Sequence, residues 1–536
     1  MRFGPRPPGV YPRGAKVQKL NQAPKQVPQP RGEGAGGGAL RPGVSKFIST
    51  MKTALVAYDV FQGRSTGYYP PLHLCRLATQ LGEAGEEVRI FDYAGEFRRM
   101  DHFFAEIRGY SPELVGLTCY TPYLIPFDRI TRRLRTCLPR AVMVAGGPHP
   151  TVRPEWTLEK MDHLDYAVRG EADRALPALA GLLAGKCSPE DVPGLVYRTE
   201  SGITANPPDR IDDLDQLFQL DRSYLDRYYE SGLYWNLAAR GKLDMLISSR
   251  GCPYNCRFCF QVEKKCRFRS VDHLMAEFED LKRRGVRTVH IQDDSFTADR
   301  KRCLAVAGEL VRGRYRFDLK IRSRVDSVDR ELLARLKAAG VKQIVYGFES
   351  GSDRVLEAMG KGTTAARNLE AARLTKEAGI GCYGEIMVGF PGETPGTVEE
   401  TIRFLLRARP IVGFIPVLYP LPGTEVYAEA RKNGTLQGDW NLQGPWPWIK
   451  LPWTSSRSDL TAAARRIVQR IQRDPATVIY FLRRHLPALN VRAVKFLLRV
   501  FRDLHLRLFL VPPYPGWWGR TKISHCRTNN NNLDTP

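Results

Sequence analysis

Arg250-Gly-Cys-Pro-Tyr-Asn-Cys-Arg-Phe-Cys-Phe260 places three cysteines, Cys252, Cys256 and Cys259, within eight residues. The stretch follows Met245-Leu-Ile-Ser-Ser249, a short apolar run with strand character. Thiolates at C-x-x-x-C-x-x-C spacing can wrap three corners of an iron–sulfur cubane and leave the fourth iron without a protein ligand, which makes this a candidate 4Fe-4S site. An open iron is a chemical centre, whereas a cluster held by four cysteines usually carries electrons. A structural zinc site is the rival reading. Zinc ribbons pair two C-x-x-C units, and here only Cys266 follows nearby. Arg257, Phe258 and Phe260 suit a cover that keeps water from the cluster, and Cys266 reads as an ordinary thiol.

Downstream of this loop, helical periodicity (271–284, 301–312, 330–339, 397–408) alternates with strand-like runs (288–294, 319–325, 343–349, 381–389, 413–421). The count is about six β/α units, too few to close an eight-unit barrel and enough for an open three-quarter barrel. Asp293 and Asp294 end the second strand at its rim. Arg322 and Arg324 alternate with Ile321 and Ser323, so both are expected on one face.

Upstream, strands and helices alternate from residue 51 to about 185, which signals a Rossmann-like doubly wound parallel sheet. Ligands of such sheets bind at the carboxyl ends of the strands. Those ends carry Asp59-Val-Phe-Gln-Gly63, Thr118-Cys-Tyr-Thr121 and Gly146-Gly-Pro-His-Pro-Thr151, with small residues that let a large flat ligand or a phosphate approach. A nucleotide is one candidate, although no G-x-G-x-x-G follows the first strand. Residues 186–243 read as a linker containing a short hairpin. Residues 1–50 are rich in Pro, Gly and basic side chains and read as a disordered leader, with Met51 an alternative start. Helical periodicity returns over 441–536, mixed with many arginines, either as a lid on the barrel or as a basic amphipathic segment on a membrane surface.

With its cysteine loop opening a partial barrel, the chain resembles the radical S-adenosylmethionine (SAM) enzymes. The resemblance implies that the open iron chelates SAM and that electron transfer from the cluster yields a 5'-deoxyadenosyl radical. Gly347-Phe-Glu-Ser-Gly351 is similar to the family's fourth-strand segment, which would bring Glu349 and Ser350 near SAM. Gly384-Glu-Ile-Met-Val-Gly-Phe-Pro-Gly392 is similar to the fifth-strand segment, which implies contacts from Gly384, Glu385 and Gly389. Arg324 is expected to meet the SAM carboxylate. The run Gly67–Tyr93, with Ala145-Gly-Gly-Pro-His-Pro-Thr151 and Tyr166-Ala-Val-Arg-Gly-Glu-Ala-Asp173, resembles the cobalamin-binding domain fused to some of these barrels. That implies cobalamin contacts from Thr118, Tyr120, Gly146, Gly147, His149 and Thr151. The D-x-H-x-x-G motif that supplies a cobalt-ligating His in other cobalamin proteins is absent, since Asp59 is followed by Val, Phe and Gln. His149 reads as a contact to the corrin tail or as a structural residue.

The resemblance implies a methyltransferase acting on an unactivated carbon or phosphorus centre of a lipid or natural-product precursor. An oxidative cyclase or rearrangement enzyme is the alternative. A methylthiotransferase would need further cluster cysteines, and Cys75, Cys119 and Cys137 fall on separate elements. A non-catalytic cobalamin sensor would not need the SAM-facing segments. Such an enzyme takes electrons from an external low-potential donor of flavodoxin or ferredoxin type.

The net charge of +24 does not by itself indicate nucleic acid. Residues 1–50 hold nine Lys/Arg against one Glu, and residues 471–536 hold eleven against three Asp, so most of the excess lies at the two ends. Solvated tails or peripheral contact with a membrane account for it, and no specific nucleic-acid partner is expected. Eleven cysteines and no apolar h-region near residue 1 point to reduced thiols in the cytosol.

Overall fold

A computed structural model describes residues 50–485, apart from 59–66, 93–99, 237–238, 261–263 and 414. The expected leader, the loop at Asp59–Gly63 and the helix expected over 491–508 lie outside the described residues.

The N-terminal sheet runs in the spatial order Glu87–Asp92, Lys52–Ala57, Leu114–Thr118, Val142–Gly146, Tyr166–Val168, Leu195–Thr199, Gly202–Ala205. The first five strands are parallel. Neighbouring residues of one strand enter different cores. Ala54 and Val56 pack on one face, and Leu55 packs on the other. Successive side chains of a strand point to opposite faces, so a run buried on both must be apolar throughout, as Thr53-Ala-Leu-Val56 nearly is. The chain order reverses between Lys52–Ala57 and Leu114–Thr118, which opens a crevice at the carboxyl ends of these strands.

The hairpin expected between 186 and 243 does more than link. Leu195–Thr199 adds antiparallel to Tyr166–Val168, and Gly202–Ala205 follows it, so the sheet extends past residue 185. A short edge strand leaves backbone N–H and C=O groups open, and the hairpin pairs them. The wrapping segment that follows is bolted to the barrel by Arg222. Its buried guanidinium meets Asp244 at 2.9 Å and Glu277 at 2.6 Å.

The second sheet has six parallel strands in sequential order: Lys242–Leu246, Val286–Ile291, Asp318–Ser323, Val341–Glu349, Gly381–Ile386 and Ile411–Val412. This is the expected open six-unit barrel. Leu246, Ile291, Ile321 and Ile344 form a core with the outer helices. Intervening positions such as His290, Lys320, Arg322 and Glu385 leave the inner face polar. The helix starts are set by side-chain caps. Ser270 accepts from the His273 N–H at 3.1 Å, and Asp329 accepts from the Leu332 N–H at 2.8 Å.

The C-terminal helices Arg457–Gln472 and Pro475–His485 pack on the barrel. Leu460, Ala464 and Ile467 enter its core, and the Tyr480 hydroxyl accepts from the Cys382 N–H at 3.1 Å. Of the two readings left open for this region, the described part follows the packed one. No helix among the described residues is long and apolar enough to cross a membrane.

Candidate functional site

The cysteine loop leaves the first barrel strand and is clipped at its base. Ser249–Arg250 pairs antiparallel with Arg267–Phe268. Inside the loop the Cys259 N–H donates to the Cys256 carbonyl at 3.1 Å. Arg257, expected as a cover, is an anchor: its backbone N–H donates to the Met359 carbonyl at 3.0 Å, and its side chain donates to Glu425 at 2.8 Å and to Glu429. Gly360, in the left-handed region at φ +63°, lets this approach occur, since a Cβ there would stand 3.2 Å from Arg257 Cγ and 3.3 Å from the Asn255 carbonyl. Phe258 meets Phe390 edge-on at 6.3 Å, and Phe260 packs at Gly423. Cys266 donates its thiol to the Gly251 carbonyl at 3.1 Å, as an ordinary thiol would. Among the described residues no three His, Cys, Asp or Glu side chains gather round a single ion. Three thiols on one short loop suit a cubane, in which each thiolate binds its own iron.

Arg324 sits against this loop. Its guanidinium lies 3.9 Å over the Tyr254 ring and its Nη1 is 4.0 Å from Cys256 Sγ. Its other donors are committed to Asp326 at 2.9 and 2.7 Å and to the Lys361 carbonyl at 2.6 Å. Arg322 does not share that environment. Strand geometry ends at Ser323, and Arg322 pairs with Glu385 at 2.8 Å on the inner face, each side chain about half exposed.

Glu349 ends the fourth strand at φ +62°, an uncommon conformation for a residue with a side chain. It is buried, and Lys361 Nζ lies 3.1 Å from its Oε1. Burial raises the Glu349 carboxyl and Lys361 opposes that shift. Ser350 is buried, with its Oγ 3.1 Å from Thr401 Oγ1 and accepting from the Ser352 N–H at 3.1 Å. Gly384 provides room for packing, since a Cβ would stand 2.7 Å from the Phe348 ring. Gly389 adopts φ +92° and donates its N–H to Glu393 Oε2 at 2.7 Å. Burial pushes the Glu393 carboxyl up to about 7. Sequence reasoning missed Glu393 and Lys361. For Lys361 the signal was its place between Gly360 and Gly362, both in the left-handed region.

Across from the loop lies a cavity of about 510 Å3, walled by both domains. Thr118, Tyr120, Gly146 and Gly147 line it from the strand ends of the N-terminal sheet, and Cys259 and Asp294 line it from the barrel. An ideal Cβ on Gly146 meets nothing within 4 Å, and Gly147 adopts φ +99°. This open cradle fits a broad ligand such as a corrin. His149 and Thr151 are not on the cavity wall. His149 is fully buried, its Nδ1 3.0 Å from Thr121 Oγ1 and its ring edge-on to Trp156. Burial, aided by Arg153, pushes its imidazole down to about 3. Thr151 donates to the Gly147 carbonyl at 2.8 Å and accepts from the Gly170 N–H at 3.0 Å.

The two sides of the cavity are clamped together by charge. Arg250 makes a bidentate pair with Asp173 at 2.9 and 3.0 Å and also meets Glu171 at 3.0 Å. Arg267 grips the same Glu171. The Arg-Gly-Glu-Ala-Asp run, singled out above for its resemblance, thus reaches directly to the hairpin that carries the cysteine loop.

Comparison with known proteins gives two family matches. Residues 246–405 match the radical SAM superfamily, and residues 59–180 match the B12 binding domain. An uncharacterized methyltransferase of Pyrococcus horikoshii is 28% identical over 447 residues, covering 81% of this chain and 94% of that protein. The anaerobic magnesium-protoporphyrin IX monomethyl ester cyclase of Cereibacter sphaeroides is 28% identical over 378 residues, and the chain spans 61% of its length and matches over 68% of its own. In fold, the chain resembles the radical S-adenosylmethionine methyltransferase TsrM from Kitasatospora setae, solved with tryptophan substrate and a SAM analogue. The TM-score is 0.63 at 20% identity, over 80% of this chain and 90% of that one.

Proposed function

We propose, on the premise that the chain belongs to the cobalamin-dependent radical SAM enzymes, that it transfers a methyl group to an unactivated carbon or phosphorus centre of a small organic substrate. The substrate class is a natural-product precursor or a lipid. Bound to this chain, the 4Fe-4S cluster with SAM supplies a 5'-deoxyadenosyl radical and cobalamin supplies the methyl group. The observation that carries the reading is the shared cavity: Gly146 and Gly147 line one wall and Cys259 and Asp294 the other. A radical source and a group carrier must both face the carbon they act on, and here one space serves both.

Within that scheme Cys252, Cys256 and Cys259 hold the cluster, and Arg324 positions the loop through Tyr254. Glu349, paired with Lys361, is the acceptor for the SAM amino group. Ser350, Gly384 and Gly389 shape the pocket around it, and Glu385 is held by Arg322 on the inner face. Thr118, Tyr120, Gly146 and Gly147 contact the corrin, while His149 and Thr151 support them from behind. Reducing equivalents come from an external flavodoxin- or ferredoxin-type donor.

The test uses the reconstituted holoenzyme with methyl-labelled SAM and a small-molecule extract of the producing cell. Transfer of label into an organic product, with 5'-deoxyadenosine formed alongside, is expected. Deoxyadenosine with an oxidised, unlabelled product would overturn the reading in favour of cyclase chemistry, which the match to the Cereibacter enzyme makes the second candidate.

A further inference from the structure

Below the Arg322–Glu385 pair, a second cavity of about 260 Å3 occupies the inner face of the barrel. Lys320 reaches it from the third strand and His290 from the second. Tyr69, which follows the short strand Gly67–Tyr68, stacks flat on His290 with ring centroids 5.0 Å apart. The wall carries six cations, Arg240, Lys320, Lys337, Lys342, Arg483 and Arg484. It carries a single carboxylate, Asp318, which Arg287 already engages at 3.3 Å. Among the described residues none of the six is paired with a carboxylate. Lys337 donates instead to the Gly379 carbonyl at 2.5 Å, Arg484 donates to the Lys342 carbonyl, and Lys320 stands 5.7 Å over the Tyr383 ring.

Gathering like charges in a partly buried space raises the energy of the fold unless an anion neutralises them. The strain shows in the lysines. Burial, with Arg322 nearby, pushes Lys320 down to about 8, and burial beside Lys342 and Arg484 lowers Lys337. Arg240 and Arg483 are exposed, and solvent relieves their share of the repulsion, whereas Lys320 and His290 are on the inner face of the sheet.

We infer that this lower cavity binds a phosphate-type dianion carried by the substrate; that the occupant is the substrate rests on the methyltransferase reading. A lone carboxylate is satisfied by one or two cations, and this wall provides six, four of them (Lys320, Lys337, Lys342 and Arg484) shielded from full exposure. The position also fits. Lys320 precedes Arg324 by four residues, roughly 13 Å along an extended chain. Arg324 touches Cys256, so a substrate anchored by its anion at Lys320 has about that length to reach the level of the cluster loop.

The experiment is calorimetric titration of the reconstituted holoenzyme with inorganic phosphate, and separately with acetate, at fixed ionic strength. Phosphate is expected to bind ~10-fold more tightly than acetate, and Lys320→Met to weaken phosphate by ~10-fold or more, the loss of one charge-assisted contact. Lys320→Arg is expected to retain most of the affinity. Lys342→Met, at a half-buried position, provides a second variant should Lys320→Met fail to fold. Phosphate affinity unchanged in the folded variants overturns the site, and acetate binding as tightly as phosphate overturns the dianion assignment. Phosphate binding needs no turnover. Lys320-dependent binding in a protein that transfers no methyl label would therefore remove the methyltransferase reading and leave the anion site standing.

Discussion

The two loops that face each other across the interdomain cavity are held by opposite means. The cysteine loop is fixed by charge from outside itself, with Arg250 and Arg267 reaching to Asp173 and Glu171, and Arg257 reaching to Glu425 and Glu429. The Gly146–Thr151 turn is fixed from within its own domain by short neutral contacts, Thr121 to His149 and Thr151 to Gly147 and Gly170. The difference follows from what each loop must be aligned with. A bidentate guanidinium–carboxylate pair has long reach and strong directionality, which suits alignment between two domains. A buried hydroxyl or neutral imidazole carries a smaller desolvation penalty than a charge, which suits a seat buried in one core.

The largest expected effect comes from emptying the charged side of the comparison. On the proposed reading Cys256→Ala removes a cluster ligand, so iron content and 5'-deoxyadenosine formation should fall to background. The neutral side is built independently, and cobalamin affinity should stay near that of the parent. A parallel loss of cobalamin would show that the two loops fold as one unit. A smaller effect should follow from weakening the clamp, whose residues border the cavity, while the three cysteines and the Gly146–Thr151 turn stay unchanged. Asp173→Asn removes the charge that meets Arg250, a loss of about 2 kcal/mol in unfolding free energy for a charged hydrogen bond. Misplacing the reacting groups by an ångström can lower a rate by ~100-fold. The expected signature is therefore a rising ratio of deoxyadenosine to methylated product. An unchanged ratio with lowered stability would reduce the clamp to a structural tie.

How much of this was legible in the sequence depended on how far apart the partners lie. The cysteine loop was legible because its chemistry is compressed into eight consecutive residues. Both sheets were legible because strand and helix periods alternate and each strand is apolar where helices cover it. The clamp was not, since Arg250 and Asp173 are 77 residues apart and their meeting is a product of domain packing. The hairpin at 195–205 was seen as a hairpin but not as part of the sheet, because nothing local states which open edge it will pair. Alternation placed Arg322 and Arg324 on one face. The strand stops at Ser323, however, and one residue past its end the side chain turns to Tyr254 and Asp326 instead. Glu349 was found by motif, whereas its partner Lys361 follows a helix and becomes a partner only when that loop folds back.

The smallest expected effect tests the neutral side directly, through the pH dependence of stability. The His149 imidazole titrates near 3 in the folded chain and near 6.5 when unfolded, so between those values the unfolded state binds one more proton. Stability contributed by neutral His149 is therefore complete above about pH 6.5 and declines as pH falls toward 3, by about 1.4 kcal/mol per unit. His149→Gln cannot titrate. At pH 8 the variant should be less stable by about 1–2 kcal/mol through the lost fit to Thr121 and Trp156. Below pH 6.5 that deficit should shrink and then reverse. Urea unfolding of both proteins, without added cobalamin, at pH 8, 6 and 5 reads the difference directly. Parallel pH profiles would mean that the imidazole titrates alike in both states and would end the buried-neutral assignment. A deficit that instead grows as pH falls would mean that His149 is protonated in the folded chain, and the turn beneath the cavity would then be held by charge after all, as the cysteine loop is.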